Sequence, residues 1–497
     1  MTKRFLNWVW LASGVLGTAL TLAACGGGGG GSVADGGIGG SGIVSAGSVT
    51  AKGSVTVNGV RYATGNAQFL REGEPAQLLD DQASAVGLGM VVRVDGSVAA
   101  DGRNGTAAIV TFEDIVEGPV SSVTGNNQAL VKVLEILGQI VVVENGATSF
   151  DDSVPGFGFD SLVNGLTGII EVSGFTKPDG TIQATYLRQT AGDLNEFLAA
   201  GNELEVMGAV DERPSATTLV INGLLVDFAT AELANVPPGG PATGQQVEVK
   251  GTRLEGNTLF AERLEVKTPG LGANQPKAAI EGFITGLDRT ARTFRISGQI
   301  VSYAGARLEG GLSADLADGV KVEAEGPIVG AVLQARKVEF EENIRIEANA
   351  DQLDPVSGIL TLQGLGGISV QLDDELTAGA FGAIQGGNYL KIRGRRIAPA
   401  TLVATRLEVV SSSPDPEVTL QGPVDSADEA GGTVVLIGFT VDTGSIGDNG
   451  FRQEEVSIGR STFFSLLRQE PESLVKARGD LNGATTVWDE IEIELQD

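Results

Sequence analysis

Six times along the chain a short alternating strand ends in glycine: VVRVDG (91–96), IIEVSG (169–174), VEVKG (247–251), KVEAEG (321–326), YLKIRG (389–394) and LVKARG (474–479). The closing glycines, Gly96, Gly174, Gly251, Gly326, Gly394 and Gly479, recur about every 70–85 residues. A recurring strand at that spacing means one module used again and again, so the 497 residues divide into serial small cores. Five copies lead into a second alternating strand: QATYLRQ, FAERLEV, QARKVEF, VATRLEV and WDEIEIE. Period-two alternation supplies one apolar face for an interior and one charged face for water.

Each unit also has an opening and a middle. EGPVSSV at 117, MGAVDER at 207, EGFITGL at 281 and QGPVDSA at 421 place a glycine shortly before Val or Ile, whereas EANADQL at 347 has Ala348. The middles, such as VTVNGVRY, LVINGLLVDF and VVLIGFTVD, are two strands around a glycine turn. Asn-Gly at 58–59 and 222–223 is a strong hairpin signal, because both central residues of a type I′ turn take positive φ. Five or six strands per unit suffice for a small closed barrel and are too few for an open sheet with two bare edges. With 72 Gly and only 5% aromatics, the composition also suits short strands and tight turns.

This pattern resembles the bacterial repeat family catalogued as domain of unknown function 5666. The resemblance implies an all-β fold, a tandem array of about six small OB-like β-barrels, and brings no activity with it. Ala348, and Trp488 where other units have Ala261 or Ala404, depart from the family pattern. The units are bounded at 42–116, 117–194, 195–269, 270–342, 343–413 and 414–497. VKTPGLGANQPKAA (266–279) and SSSPDPE (411–417) are breaker-rich joints, while VTFEDIVEGPVSSV (110–123) and VEFEENIRIEANA (338–350) run strand into strand. Units one and two, and units four and five, are therefore expected to form rigid pairs.

The N-terminus carries Lys3 and Arg4, an apolar stretch from about Phe5 to Leu22, then Leu22-Ala23-Ala24-Cys25. This resembles a bacterial lipoprotein signal over residues 1–24, which implies cleavage before Cys25 and acylation there. The resemblance implies a membrane partner through the N-terminal lipid, and Gly26 in place of Asp implies the outer membrane of a Gram-negative cell. Residues 25–41 read as a Gly-rich tether. The GxGxxG spacing of Gly37, Gly39 and Gly42 has no strand before it or helix after it, so it is a low-complexity coincidence.

Composition excludes several chemistries. Histidine is absent, which removes Ser-His-Asp triads and His-containing zinc sites, and the lone Cys25 allows no intramolecular disulfide. A net charge of −29 opposes phosphate backbones, so nucleic acid is not an expected partner. Asp442-Thr443-Gly444 resembles an aspartic-protease loop, but that chemistry needs a second such loop and this chain has none. Asp442 instead follows the middle Gly438 by four residues, as Asp227 follows Gly223, an ordinary repeat position. Asp80-Asp81, Asp151-Asp152 with Asp160, Asp373-Asp374 and the DSADE run at 425–429 read as solvated turn carboxylates, with calcium as the alternative. The expected function is a non-catalytic envelope lipoprotein, a scaffold or interaction array without cofactor or resident metal, contacting an unidentified envelope component. The alternative is capture of a glycan, small molecule or calcium by the variable barrel loops.

Overall fold

A computed structural model describes residues 44–494 except 51–54, 72–73, 77–85, 126–130, 146, 167, 269, 374–375, 378–379, 411–416, 454 and 470–473. Cys25, the signal-like segment, the Gly-rich tether and Asp80-Asp81 lie outside the described residues. No helix among the described residues is long and apolar enough to cross a membrane.

Unit two shows the module most completely. Its five strands are Val116–Thr124, Val131–Ile136, Gln139–Glu144, Ile169–Thr176 and Ile182–Ala191. The first pairs the second, the second the third, the third the fifth in parallel, the fifth the fourth, and the fourth the first. The ring 1-2-3-5-4-1 is a closed five-stranded barrel of OB type. Units four and five close through the same set of pairs. Unit three closes through a bridge between Glu212 and Val220, and unit one through Thr50 N–H donating to the Thr56 carbonyl (3.0 Å). In unit six, Phe439 of the third strand meets Trp488 of the fifth edge to face, 6.2 Å between centroids. The structure is nearly all β, and the expected OB-like array is what it contains.

The recurring glycine has a steric cause. Gly251 on the fourth strand of unit three runs against the fifth, where a β-carbon would collide with the carbonyl oxygen of Phe260. The same collision with a backbone oxygen awaits a β-carbon at Gly96, Gly174, Gly326, Gly394 and Gly479, and four of these six sit at a register shift. A strand that must bend sharply to close so small a ring brings two backbones into contact there.

The middle hairpins turn through pairs of positive φ, Asn58 (50°) with Gly59 (66°) and Asn222 (45°) with Gly223 (89°), as Asn-Gly predicts. Leu137 and Ile437 hold the same position at φ 47° despite their bulk. Both are buried: the Leu137 side chain fills the space a β-carbon on Gly118 would need (2.6 Å), and Ile437 does so at Gly422 (3.0 Å). The opening glycines thus make room for the turn to fold over the barrel end. In unit five, where Ala348 replaces the glycine, the connection between Ile359–Leu362 and Ser369–Gln371 is longer.

The barrels join through their first strands. The start of each first strand pairs the fourth on one side, and the second strand reaches only its later half, so one edge is left open. Unit two offers that edge to unit three (Val116 beside Val206), unit five to unit six (Ile346 beside Leu420), and unit one to unit four in parallel (Val44 beside Ala278). Units two and three share one apolar core, as do units five and six, while Val44 joins the core of unit four.

Sheet pairing thus follows other neighbours than the expected rigid pairs: neither one with two nor four with five is joined by sheet. Linker composition reports where the chain is continuous; the open strand edge decides which faces meet. Units one and two do touch, through Val91 N–H donating to Ser173 Oγ (2.8 Å), and Arg395 ties unit five to Asp315 of unit four (3.1 Å). Phe175 of unit two also packs on Phe283 of unit four (6.4 Å).

Two outcomes follow. Gly251→Ala should destabilise the chain by about 1–3 kcal/mol, read from chemical denaturation. Protease nicking within 411–416 should leave units five and six co-eluting on native gel filtration and separating only in denaturant.

Candidate functional site

Strand register assembles a row of charges across the joint between units two and three. Glu117 on the first strand of unit two lies opposite Glu171 on one side and Glu205 of unit three on the other. Beyond them, Glu171 faces Arg188 and Glu205 faces Lys250. Like charges directly opposite are destabilising in a sheet, and this row puts three carboxylates side by side. Asp114, in the segment entering unit two, adds a fourth and is 2% exposed.

Unit one supplies a counter-charge from above. Arg71, at the end of its short strand Gln68–Arg71, places Nη2 2.5 Å from Asp114 Oδ2, 2.7 Å from Glu171 Oε2 and 3.8 Å from Glu117 Oε2. Arg188 Nη1 approaches Glu171 Oε2 at 3.5 Å, and Lys250 Nζ reaches Glu205 Oε2 at 3.1 Å and Glu248 Oε1 at 3.2 Å. Lys267 continues the network, bridging Glu248 and Glu113. Glu171 Oε1 and Glu205 Oε1 are buried without a hydrogen-bond partner.

The electrostatics follow from crowding and desolvation. Burial, then the charge of Asp114, pushes the Glu117 carboxyl up to about 7. The same two causes raise Glu171 and Glu205 well above the ordinary carboxylate range. Burial pulls the Arg71 guanidinium down, yet Asp114, Glu171 and Glu117 hold it above its usual value. Burial lowers Lys250 to about 8, helped by Lys267.

Unit four repeats the arrangement. Glu281, Glu323 and Glu339 stand opposite one another on its first, fourth and fifth strands. Glu323 is fully buried, neither carboxyl oxygen has a hydrogen-bond partner, and burial raises its pKa well above normal. Lys321 and Lys337 hold Glu281 (2.6 Å) and Glu339 (2.8 Å), and Ser48 N–H of unit one donates to Glu281 Oε2 (3.0 Å). Unit one therefore covers an acidic row on both unit two and unit four. Three residues before each repeat glycine stand Arg93, Glu171, Glu248, Glu323, Lys391 and Lys476, so one ladder position carries either sign from unit to unit.

The residues singled out from sequence play other parts. Asp442 is exposed and accepts from Gly444 N–H (2.8 Å), as Asp227 accepts from Ala229 N–H (3.0 Å), so both are turn-forming carboxylates at one repeat position. Asp151 accepts from the Tyr186 hydroxyl (2.9 Å), and Asp152 and Asp160 are exposed. Asp373 caps the turn at Leu376 N–H (3.3 Å), and Asp374 lies outside the described residues. Asp425 pairs with Arg396 (2.6 Å), and Asp428 accepts from Gly431 N–H (2.9 Å). Among the described residues, the one group of three acidic side chains with mutually close ligand atoms is Asp114, Glu117 and Glu171. Period-two alternation alone does not mark it, since alternation assigns every outward charge to solvent. The available signal was glutamate at both members of a facing pair, Glu117 and Glu171, where units five and six set Lys391 and Lys476 against Glu347 and Gln421.

Residues 117–188, 207–265 and 281–339 match the model of one family, described as Domain of unknown function (DUF5666). Units two, three and four are thus tandem copies of that domain, and unit five repeats the same ring of strands. No curated protein matches the chain.

The raised carboxyls fix a pH dependence. Unfolded, Glu117 titrates near 4.5; folded, it holds its proton to about 7. Across that window the folded form binds the extra proton, so stability is greatest on the acid side and declines as pH rises, by up to ~1.4 kcal/mol per pH unit. Glu171 and Glu205 carry the decline further. Urea midpoints measured from about pH 5 to 8 should fall, and Glu117→Gln should flatten the slope below about 7. A wild-type midpoint that climbs over this range would mean the cluster is ionised throughout.

Proposed function

We propose that the chain is a non-catalytic lipoprotein of the bacterial cell envelope, a scaffold of DUF5666-type barrels tethered through acylated Cys25, with the outer membrane as its seat. The observation that carries this reading is how the barrels spend their buried surface. First-strand edges join barrel to barrel, and two pairs of units share continuous cores, which makes the array stiff. Stiffness and a lipid at one end are what a spacer or docking frame needs. The net charge of −29 keeps such a frame soluble and away from anionic headgroups beyond its tether.

A second reading, ligand capture, has one observation in its favour. A cleft of about 500 Å³ between units four and five is lined by Arg307, Glu309, Ser313, Glu342, Thr405 and Arg406. Its size suits a small molecule, although such sites are ordinarily more apolar.

Mass spectrometry of the mature protein from its native host should find Cys25 as the first residue, carrying acyl chains. Cys25→Ser should leave the signal uncleaved and the envelope fraction without the acylated form. An unmodified Cys25 would remove the tether, and binding of a small ligand abolished by Arg406→Ala would favour the second reading.

A further inference from the structure

The guanidinium of Arg71 sits where a metal ion would. Its Nη2 lies 2.5 and 2.7 Å from carboxylate oxygens of Asp114 and Glu171, with Glu117 at 3.8 Å. One oxygen from each of those carboxylates falls within 4.8 Å of the other two. Calcium binds oxygen at about 2.3–2.6 Å, so ligands on opposite sides of the ion stand ~4.8 Å apart; magnesium, at about 2.0–2.1 Å, needs a tighter cage. Independently, Glu171 Oε1 and Glu205 Oε1 are buried with no hydrogen-bond partner, two oxygens desolvated without compensation.

We propose that Asp114, Glu117 and Glu171 form a calcium-class cation site at the joint of units one and two, for which Arg71 competes. The three closest carboxylates are buried while the Arg71 side chain is 28% exposed, so departure of Arg71 opens the path by which an ion enters. Because Arg71 belongs to unit one while Glu117 and Glu171 belong to unit two, ion binding exchanges a contact between barrels for a coordination bond within one joint. The inference is independent of the lipid tether.

The test uses the mature full-length chain, melted in chelator and in millimolar calcium. Arg71→Ala should gain a clear upward shift of its midpoint with calcium, larger than that of the wild type, and calorimetric titration should give one ion per chain. Glu171→Gln in the Arg71→Ala background should abolish both. An Arg71→Ala chain that folds only with calcium also supports the site; if it is unfolded in both conditions, Arg71→Gln takes its place. Identical midpoints with and without calcium, or a shift that survives Glu171→Gln, would overturn the proposal and leave the cluster a purely ionic joint.

Discussion

The open edge of the first strand governs this molecule. A five-stranded ring this small closes only if its first strand serves the fourth with one half and the second with the other. That bend leaves backbone N–H and C=O groups unpaired along part of one side, a template for uncontrolled strand addition. The chain satisfies them with its own copies: unit two with three, five with six, one with four. Repetition is thereby more than a way of lengthening the protein. A single module would present a bare edge; a set of them covers it.

Once strand edges bring barrels together, outward-facing side chains near those edges lose water. Alternation had marked them as a solvated face, and that inference holds along most of each strand. It fails at Glu117, Glu171, Glu205 and Glu323, where the neighbouring barrel closes over them. Burying charge is costly unless each is matched, and here the matching residues come both from the same unit, as Arg188 does, and from a neighbour, as Arg71 does. Joint and charge cluster are one feature seen from the backbone and from the side chains.

What the sequence reveals depends on whether a constraint is local. The six repeat glycines, the Asn-Gly turns and the odd Ala348 all report contacts made within one module, and each was readable in a short window. Register along a strand was equally plain, since shifting it by one would turn every valine outward. Partner choice was not readable: the Pro-bearing joint at 411–417 precedes a strand that shares a sheet with unit five, while the unbroken run at 110–123 connects units that meet through side chains. The ionic cluster was hidden for the same reason, because six strands spread over three units contribute to it. Leu137 and Ile437 show the converse, bulky residues in a backbone region that disfavours them, kept there because each fills the notch left by an opening glycine.

The parallel pairing of Val44–Ser48 with Ala278–Phe283 sets an order of events during biogenesis. A nascent polypeptide presents its earliest barrel long before the fourth exists, so that barrel waits with its docking side bare while more than two hundred further residues arrive. Folding therefore cannot finish strictly from front to back; the first-made piece is among the last to be seated. A chaperone that shields the early segment would act in that interval, and a stop codon before the fourth barrel would strand it permanently.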